Sequence, residues 1–175
     1  MIDLQKLREE FKDCECGVKH ELTIRDVALG SGITCKTGEI LIKNGFKKRL
    51  LLVADKNTLS ASEGIINALK DFDLTLKIYD NLREASMNEV KVIKGLLADV
   101  DGVIAVGTGS IHDICRKACA EEDKMLCLFA TAPSMDGFAS YSSPLTDGNF
   151  KITYPAKSPE VIIADTKILA KSPTE

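Results

Sequence analysis

Apolar positions along the chain fall into two periods. Leu50 to Ala54, Gly102 to Val106 and Met125 to Ala130 are short, almost unbroken apolar runs, the pattern of strands buried on both faces of a parallel sheet. Thr75 to Tyr79 and Val161 to Ala164 read as further strands, and Val27 to Gly30 begins as one before the chain breaks at GSG. Between these runs, residues 2 to 12, Ile33 to Phe46, Ser60 to Phe72, Asn88 to Asp99 and Ser110 to Ala120 take helical spacing. Val90, Ile93, Leu96 and Leu97 share one side of the fourth helix. Strands alternating with helices through short connections imply an α/β fold with an open, mostly parallel sheet, right-handed crossovers and helices on both faces. Ser142 to Tyr154 departs from this pattern, alternating about Asp147-Gly148, which predicts a β-hairpin over roughly residues 141 to 154. The last residues, Ser172-Pro173-Thr174-Glu175, carry no packing signal of their own.

Ligands of open parallel sheets sit outside the carboxyl ends of the strands, so the loops there are the first place to look for chemistry. The stretch DGVIAVGTGSIHD, Asp101 to Asp113, runs from a strand into a helix through Gly107, Thr108 and Gly109. Glycines there permit dihedrals closed to other residues and let the main chain approach a ligand. The free amides of the helix start, at the positive end of its dipole, would suit a phosphate. The third glycine of the full dinucleotide fingerprint is missing, and a plain turn with Ser110 as N-cap explains the local pattern equally well. Asp55 ends the second strand, where a carboxylate either accepts from ribose hydroxyls or caps a helix beginning near Thr58. Thr131 to Tyr141, TAPSMDGFASY, follows another strand end with Ser134, Asp136 and Ser140, groups suited to a polyhydroxylated ligand or simply to a surface loop turning at Asp136-Gly137.

Composition narrows the partners. At 175 residues the chain is most simply one domain. A net charge of -3 and a pI near 5.5, with Lys and Arg dispersed among Asp and Glu, argue against a nucleic-acid surface. No apolar run is long enough to cross a bilayer and no signal peptide precedes IDLQKLREEFKD, so a cytoplasmic protein is expected. Of six cysteines, Cys115, Cys119 and Cys127 lie within a helix and a strand and are read as free, buried thiols. Cys14, Cys16 and His20 look like a metal knuckle, but with three ligands and a C-x-C spacing tighter than usual for zinc. A tight turn at Gly17 with reduced thiols is the preferred reading.

Four segments taken together resemble one family. ADKNT at 54 to 58, GTGSIHD at 107 to 113, TAPSMDGFAS at 131 to 140 and YPAKSPEVIIADTKILAKSP at 154 to 173 are similar to the sn-glycerol-1-phosphate dehydrogenases. These belong to the superfamily of iron-containing alcohol dehydrogenases, glycerol dehydrogenases and dehydroquinate synthases. The C-x-C-G-x-x-H at 14 to 20 resembles the bacterial, AraM-like branch. The resemblance implies a Rossmann-like domain for NAD or NADP over residues 1 to 175. It places Gly107, Gly109, Ser110, Ile111, His112 and Asp113 at the pyrophosphate, and Asp55 at the adenosine ribose. It sets Thr131, Ala132, Pro133, Ser134 and Ser140 along the cofactor, and Asp136 on the substrate.

The same resemblance implies that something is missing. Family members continue into a helical domain supplying an Asp and two His to a divalent metal, Zn, Ni or Fe, whereas this chain has only His20 and His112, neither at a matching position. The expectation is therefore a cofactor-binding domain, inactive alone, of an enzyme reducing dihydroxyacetone phosphate to sn-glycerol 1-phosphate. Alternatives are a domain of a polyol dehydrogenase or a self-contained nucleotide-binding module. If removal of a second domain leaves apolar surface open, Ile162, Ile163 and the Tyr154 region are where it would lie, with self-association the predictable response.

Overall fold

The computed structural model describes residues 3–18, 20, 22–134 and 137–173. Its centre is a six-stranded, wholly parallel sheet in the order β1-β8-β5-β4-β2-β3. The strands are β1 (Asp26–Gly30), β2 (Arg49–Asp55), β3 (Asp73–Tyr79), β4 (Gly102–Gly107), β5 (Met125–Ala130) and β8 (Val161–Asp165). Strands β6 (Ser142–Asp147) and β7 (Phe150–Pro155) form a separate antiparallel hairpin that replaces a crossover helix between β5 and β8. Helices α1 (Leu4–Glu10), α2 (Thr37–Lys43), α3 (Lys56–Ala61), α4 (Ile65–Ala68), α5 (Met87–Gly95), α6 (Gly109–Glu121) and α7 (Thr166–Leu169) complete the described elements.

The unbroken apolar runs follow from this layering. Alternate residues of a strand face opposite sides, so a strand with helices on both sides needs apolar groups at every position. Leu51, Val53, Val103, Ala105, Leu126 and Leu128 pack with Val90, Ile93, Ile114 and Cys115 of α5 and α6. Their neighbours Leu50, Leu52, Ile104, Val106, Cys127 and Phe129 pack on the other face with Leu41, Ile65 and Leu69.

Several helices differ from the periodicity. The segment Ser60 to Phe72 is two short helices: the Ser62 hydroxyl donates back to the carbonyls of Thr58 (2.8 Å) and Leu59 (3.0 Å), competing with continuation, and Gly64 follows. Ile33 to Phe46 opens as a 3-10 turn, Ile33–Lys36, before α2. After β8 the chain forms α7, which the sequence reading left without structure. Asp165 holds it by accepting from the amides of Gly32 (2.8 Å), Thr34 (3.1 Å) and Lys167 (3.0 Å) and from the Thr34 hydroxyl (2.6 Å). Burial alone would raise that carboxyl, but these donors outweigh it and hold it below the usual range. Ile162 and Ile163 are buried, because β8 is an interior strand between β1 and β5. Exposed large apolar groups include Tyr141, Phe150 and Ile152 on the hairpin and its approach, and Leu29, Ile42, Ile66, Leu76 and Val92 elsewhere. Cys115, Cys119 and Cys127 are free and buried, as read. Among the described residues no helix is long and apolar enough to cross a membrane.

Candidate functional site

The order of the strands picks out one point on the sheet edge. From β2 the chain moves outward to β3, then returns to β4 on the other side of β2 and continues away through β5. The carboxyl ends of β2 and β4 therefore flank a topological switch point, where loops diverge and leave a crevice. Ala54 pairs with Val106, so Asp55 and Gly107 leave the sheet side by side. The Thr58 hydroxyl donates to the Val106 carbonyl at 2.8 Å and ties the two turns together.

The β4–α6 turn ends on unpaired donors. The helix begins at Gly109 with Thr108, not Ser110, as N-cap, and the Thr108 side chain makes no capping bond. The His112 amide bonds to the Thr108 carbonyl at 3.0 Å, while those of Gly109, Ser110 and Ile111 have no acceptor among the described residues. A thirteen-residue helix adds the positive end of its dipole at the same place. Gly107 is required for a different reason from the one its sequence suggested: neither it nor Gly109 has a positive φ. A Cβ on Gly107 would sit 2.7 Å from Ile111 Cδ1, so glycine lets the first helical turn fold down onto the strand end.

Asp55 does cap its helix. Its Oδ1 accepts from the Thr58 amide at 2.8 Å, and the Thr58 hydroxyl accepts from the Asp55 amide at 3.1 Å, a reciprocal box. Thr131 is buried, its amide bonded to the Gly107 carbonyl at 3.1 Å. Between these turns lies a crevice of about 320 Å³ bordered by Thr58, Thr108, Thr131 and Ala132. A larger hollow of about 690 Å³ adjoins it beside α4 and α7 and shares Ile168 and Lys171 with it. On the far side of the helix start, Gly109, Ser110 and Asp113 border a third space of about 270 Å³ with Arg83 and Lys151. Of this turn the crevice reaches Thr108, while Gly109 and Ser110, which carry two of the free amides, border the third space.

Beneath the helix start, α6 supports the 131–141 loop. The Arg116 side chain is fully buried; its Nη1 donates to Asp113 Oδ1 at 2.7 Å and its Nη2 to the Gly137 carbonyl at 2.7 Å. The His112 ring is also fully buried, packed against Phe138 with centroids 5.7 Å apart. Neither ring nitrogen has a well-aligned partner among the described residues. Burial first, then the Arg116 charge, push this imidazole down to about 3, against a smaller opposing pull from the backbone of Phe129 and Ala105. It is therefore neutral at physiological pH, and it lies under the site rather than in it. Burial pushes the Asp113 carboxyl up to about 6 despite Arg116 and Lys151, and lowers Arg116 from its ordinary value, so each charge persists through the other.

Sequence reasoning missed Arg116, although the signal was present: an arginine on the apolar side of a helix beside Ile111, Ile114, Cys115 and Cys119 needs a partner. Asp136 lies outside the described residues. Pro133 and Ser134 are exposed beyond Ala132. The Ser140 hydroxyl accepts from the Ser142 amide and bonds the Ser142 carbonyl, both at 3.0 Å, closing the turn into β6.

An Asp-His-His metal set does not form from the described residues: His112 is in the core, and His20 is exposed beside Cys16. The described His, Cys and carboxylate groups gather in metal-holding geometry at Cys14, Cys16 and His20 instead.

Comparison with known proteins agrees with this architecture. The chain is 31% identical to the glycerol-1-phosphate dehydrogenase [NAD(P)+] of Geobacillus stearothermophilus over 98% of its own length and 45% of that protein. It is 30% identical to the enzyme of the same name from Pyrococcus furiosus, over 85% of this chain and 43% of that one. The chain thus spans less than half the length of these relatives. Among solved structures, maleylacetate reductase from Agrobacterium tumefaciens superposes with a TM-score of 0.75 at 17% identity, over 89% of this chain and 45% of that one. Glycerol dehydrogenase from Schizosaccharomyces pombe gives 0.74 at 18%, over 86% and 39%. The family described as iron-containing alcohol dehydrogenase matches residues 28–173, and the chain belongs to it.

Proposed function

We propose that this chain is the NAD(P)-binding part of a glycerol-1-phosphate dehydrogenase. The observation that carries the reading is the set of three amides, Gly109, Ser110 and Ile111, without an acceptor among the described residues, heading a long helix at the switch point of a parallel sheet. They would take the pyrophosphate, with Gly107 allowing its close approach. Thr131, Ala132, Pro133 and Ser134 would lie along the rest of the cofactor. Asp55 spends Oδ1 on its own helix, leaving the second carboxylate oxygen for a ribose hydroxyl; its charge would disfavour a 2′-phosphate and so favour NAD. Asp136 would hold a substrate hydroxyl, which is positioning rather than proton transfer.

The bound nicotinamide would supply the hydride donor or acceptor. The chain's own groups bind and orient it. Reduction of a carbonyl also needs polarisation of its oxygen, and the described residues do not assemble the metal set for that step. The reaction is therefore assigned to the complete enzyme, with a small phosphorylated ketone as substrate.

Calorimetric titration with NADH, joined to hydrogen exchange of residues 107–113, tests the binding site. Heat of binding and slowed exchange there are expected. No heat at millimolar NADH, with unchanged exchange, removes the reading. Activity of the complete enzyme on dihydroxyacetone phosphate against dihydroxyacetone then tests the substrate, the phosphorylated ketone being expected to react faster.

A further inference from the structure

The N-terminal segment holds a cluster that the dinucleotide site does not use. Cys14, Cys16 and His20 bring their ligand atoms all within 4.8 Å of one another, and Cys16 Sγ is 3.0 Å from His20 Nε2. The expected turn at Gly17 is what gathers them: its amide bonds to the Cys14 carbonyl at 3.4 Å, and its φ of 73° is a left-handed value that favours glycine. The two readings of this motif, turn and knuckle, are therefore compatible. His20 is further set by the edge of Phe11, with ring centroids 5.7 Å apart. Core packing does not explain the convergence, because Cys14 is only partly buried and Cys16 and His20 are exposed.

We propose that Cys14, Cys16 and His20 form a three-ligand site for one thiolate-seeking metal ion, with Zn²⁺ as the reference cation and a fourth position open to solvent. Bonds of about 2.3 Å to sulfur and 2.0 Å to nitrogen at tetrahedral angles set neighbouring ligand atoms about 3.5–3.8 Å apart. One separation here is 3.0 Å and none exceeds 4.8 Å, so small side-chain rotations accommodate the ion. Two thiolates and an imidazole select Zn²⁺ or Cu⁺ over Mg²⁺ and Ca²⁺. Binding displaces the thiol protons and transfers no electrons.

The ion would also clamp a weakly anchored element. Helix α1 buries no residue and is joined to the lead-in of β1 by the Arg8 bond to the Ile24 carbonyl, 2.6 Å. A metal bridging Cys14, just beyond α1, to His20, just before β1, closes that segment into a loop.

The test compares the reduced, metal-stripped chain with the Cys14→Ser/Cys16→Ser double variant, using Zn²⁺ alone and then Co²⁺ alone. Wild type is expected to take up one more equivalent of Zn²⁺ at micromolar free ion and to protect two thiols from alkylation. With Co²⁺ it should show a sulfur-to-metal charge-transfer band that the variant lacks. His20→Ala keeps the thiolates and is expected to weaken binding by roughly tenfold or more. Residues 11–20 of wild type should resist protease when zinc is present. Equal zinc uptake by wild type and the double variant, or thiols equally reactive with and without zinc, overturns the proposal. The variants leave the crevice intact, so NADH titration of the same samples scores the dinucleotide reading separately.

Discussion

The β2–α3 and β4–α6 turns leave adjacent, paired strands at the same edge of the sheet and treat their first amides in opposite ways. Asp55 and Thr58 close the first turn on itself with a reciprocal cap. The second has a threonine at the same position that makes no such bond, and leaves three donors open among the described residues. The β8–α7 turn sides with the first, since Asp165 fills it. A strand-to-helix turn is a fold element anywhere on this edge. It becomes an anion seat only where the protein withholds its own carboxylate.

The contrast is open to four experiments. The largest effect is expected from Arg116→Met, which cuts the tie between the helix that follows the open turn and Gly137. The variant leaves Asp113 unpaired and frees the Gly137 carbonyl, and should lose about 3–5 kcal/mol in urea unfolding; a loss under ~1 kcal/mol would mean the pair is idle. Acid comes next. The folded His112 titrates near 3 against an ordinary 6.5, so its contribution to stability is complete above 6.5 and is lost as pH falls towards 3. His112→Phe should therefore gain on the parent by about 1.4 kcal/mol for each pH unit below 6.5, read by unfolding at several pH values. Asp113, raised to about 6, acts in the opposite sense between its ordinary value and 6, but it is present in both proteins and cancels.

Thr108→Asp gives the open turn the cap of its neighbour. It should weaken NADH binding by about tenfold or more while raising thermal stability through a cap worth about 1 kcal/mol. Undiminished affinity would show that the cofactor sits elsewhere. The smallest change is Asp55→Ala, which should cost about 1 kcal/mol of stability and shift cofactor preference from NADH towards NADPH, measured by paired titrations.

Much of the sheet was legible because burial on both faces forces a signal that does not depend on distant neighbours: Met125 to Ala130 is a strand over the same residues in sequence and structure. Helix limits were less legible. Ser62 breaks the 60–72 segment by bonding its own backbone, a local choice that apolar spacing does not record. The cap of helix α7 is local, Asp165 to the Lys167 amide, but the same carboxylate is fixed by Gly32 and Thr34, more than a hundred residues away in sequence. At the site, the importance of Gly107 was readable but its cause was not, since the contact with Ile111 exists only once the turn has folded. For Arg116 the sequence carried half the signal, a charge on an apolar helix face three residues from Asp113, while its second acceptor, the Gly137 carbonyl, is set only by the fold.

The pairing of Ala54 with Val106 has a metric consequence. Parallel strands can shift only by whole pleats, and one shift of two residues would carry the open helix start about 6.6 Å along the sheet from Asp55. The ladder between β2 and β4 thus acts as a ruler, and the leucines and valines that keep it from slipping calibrate the distance between Asp55 and the open helix start.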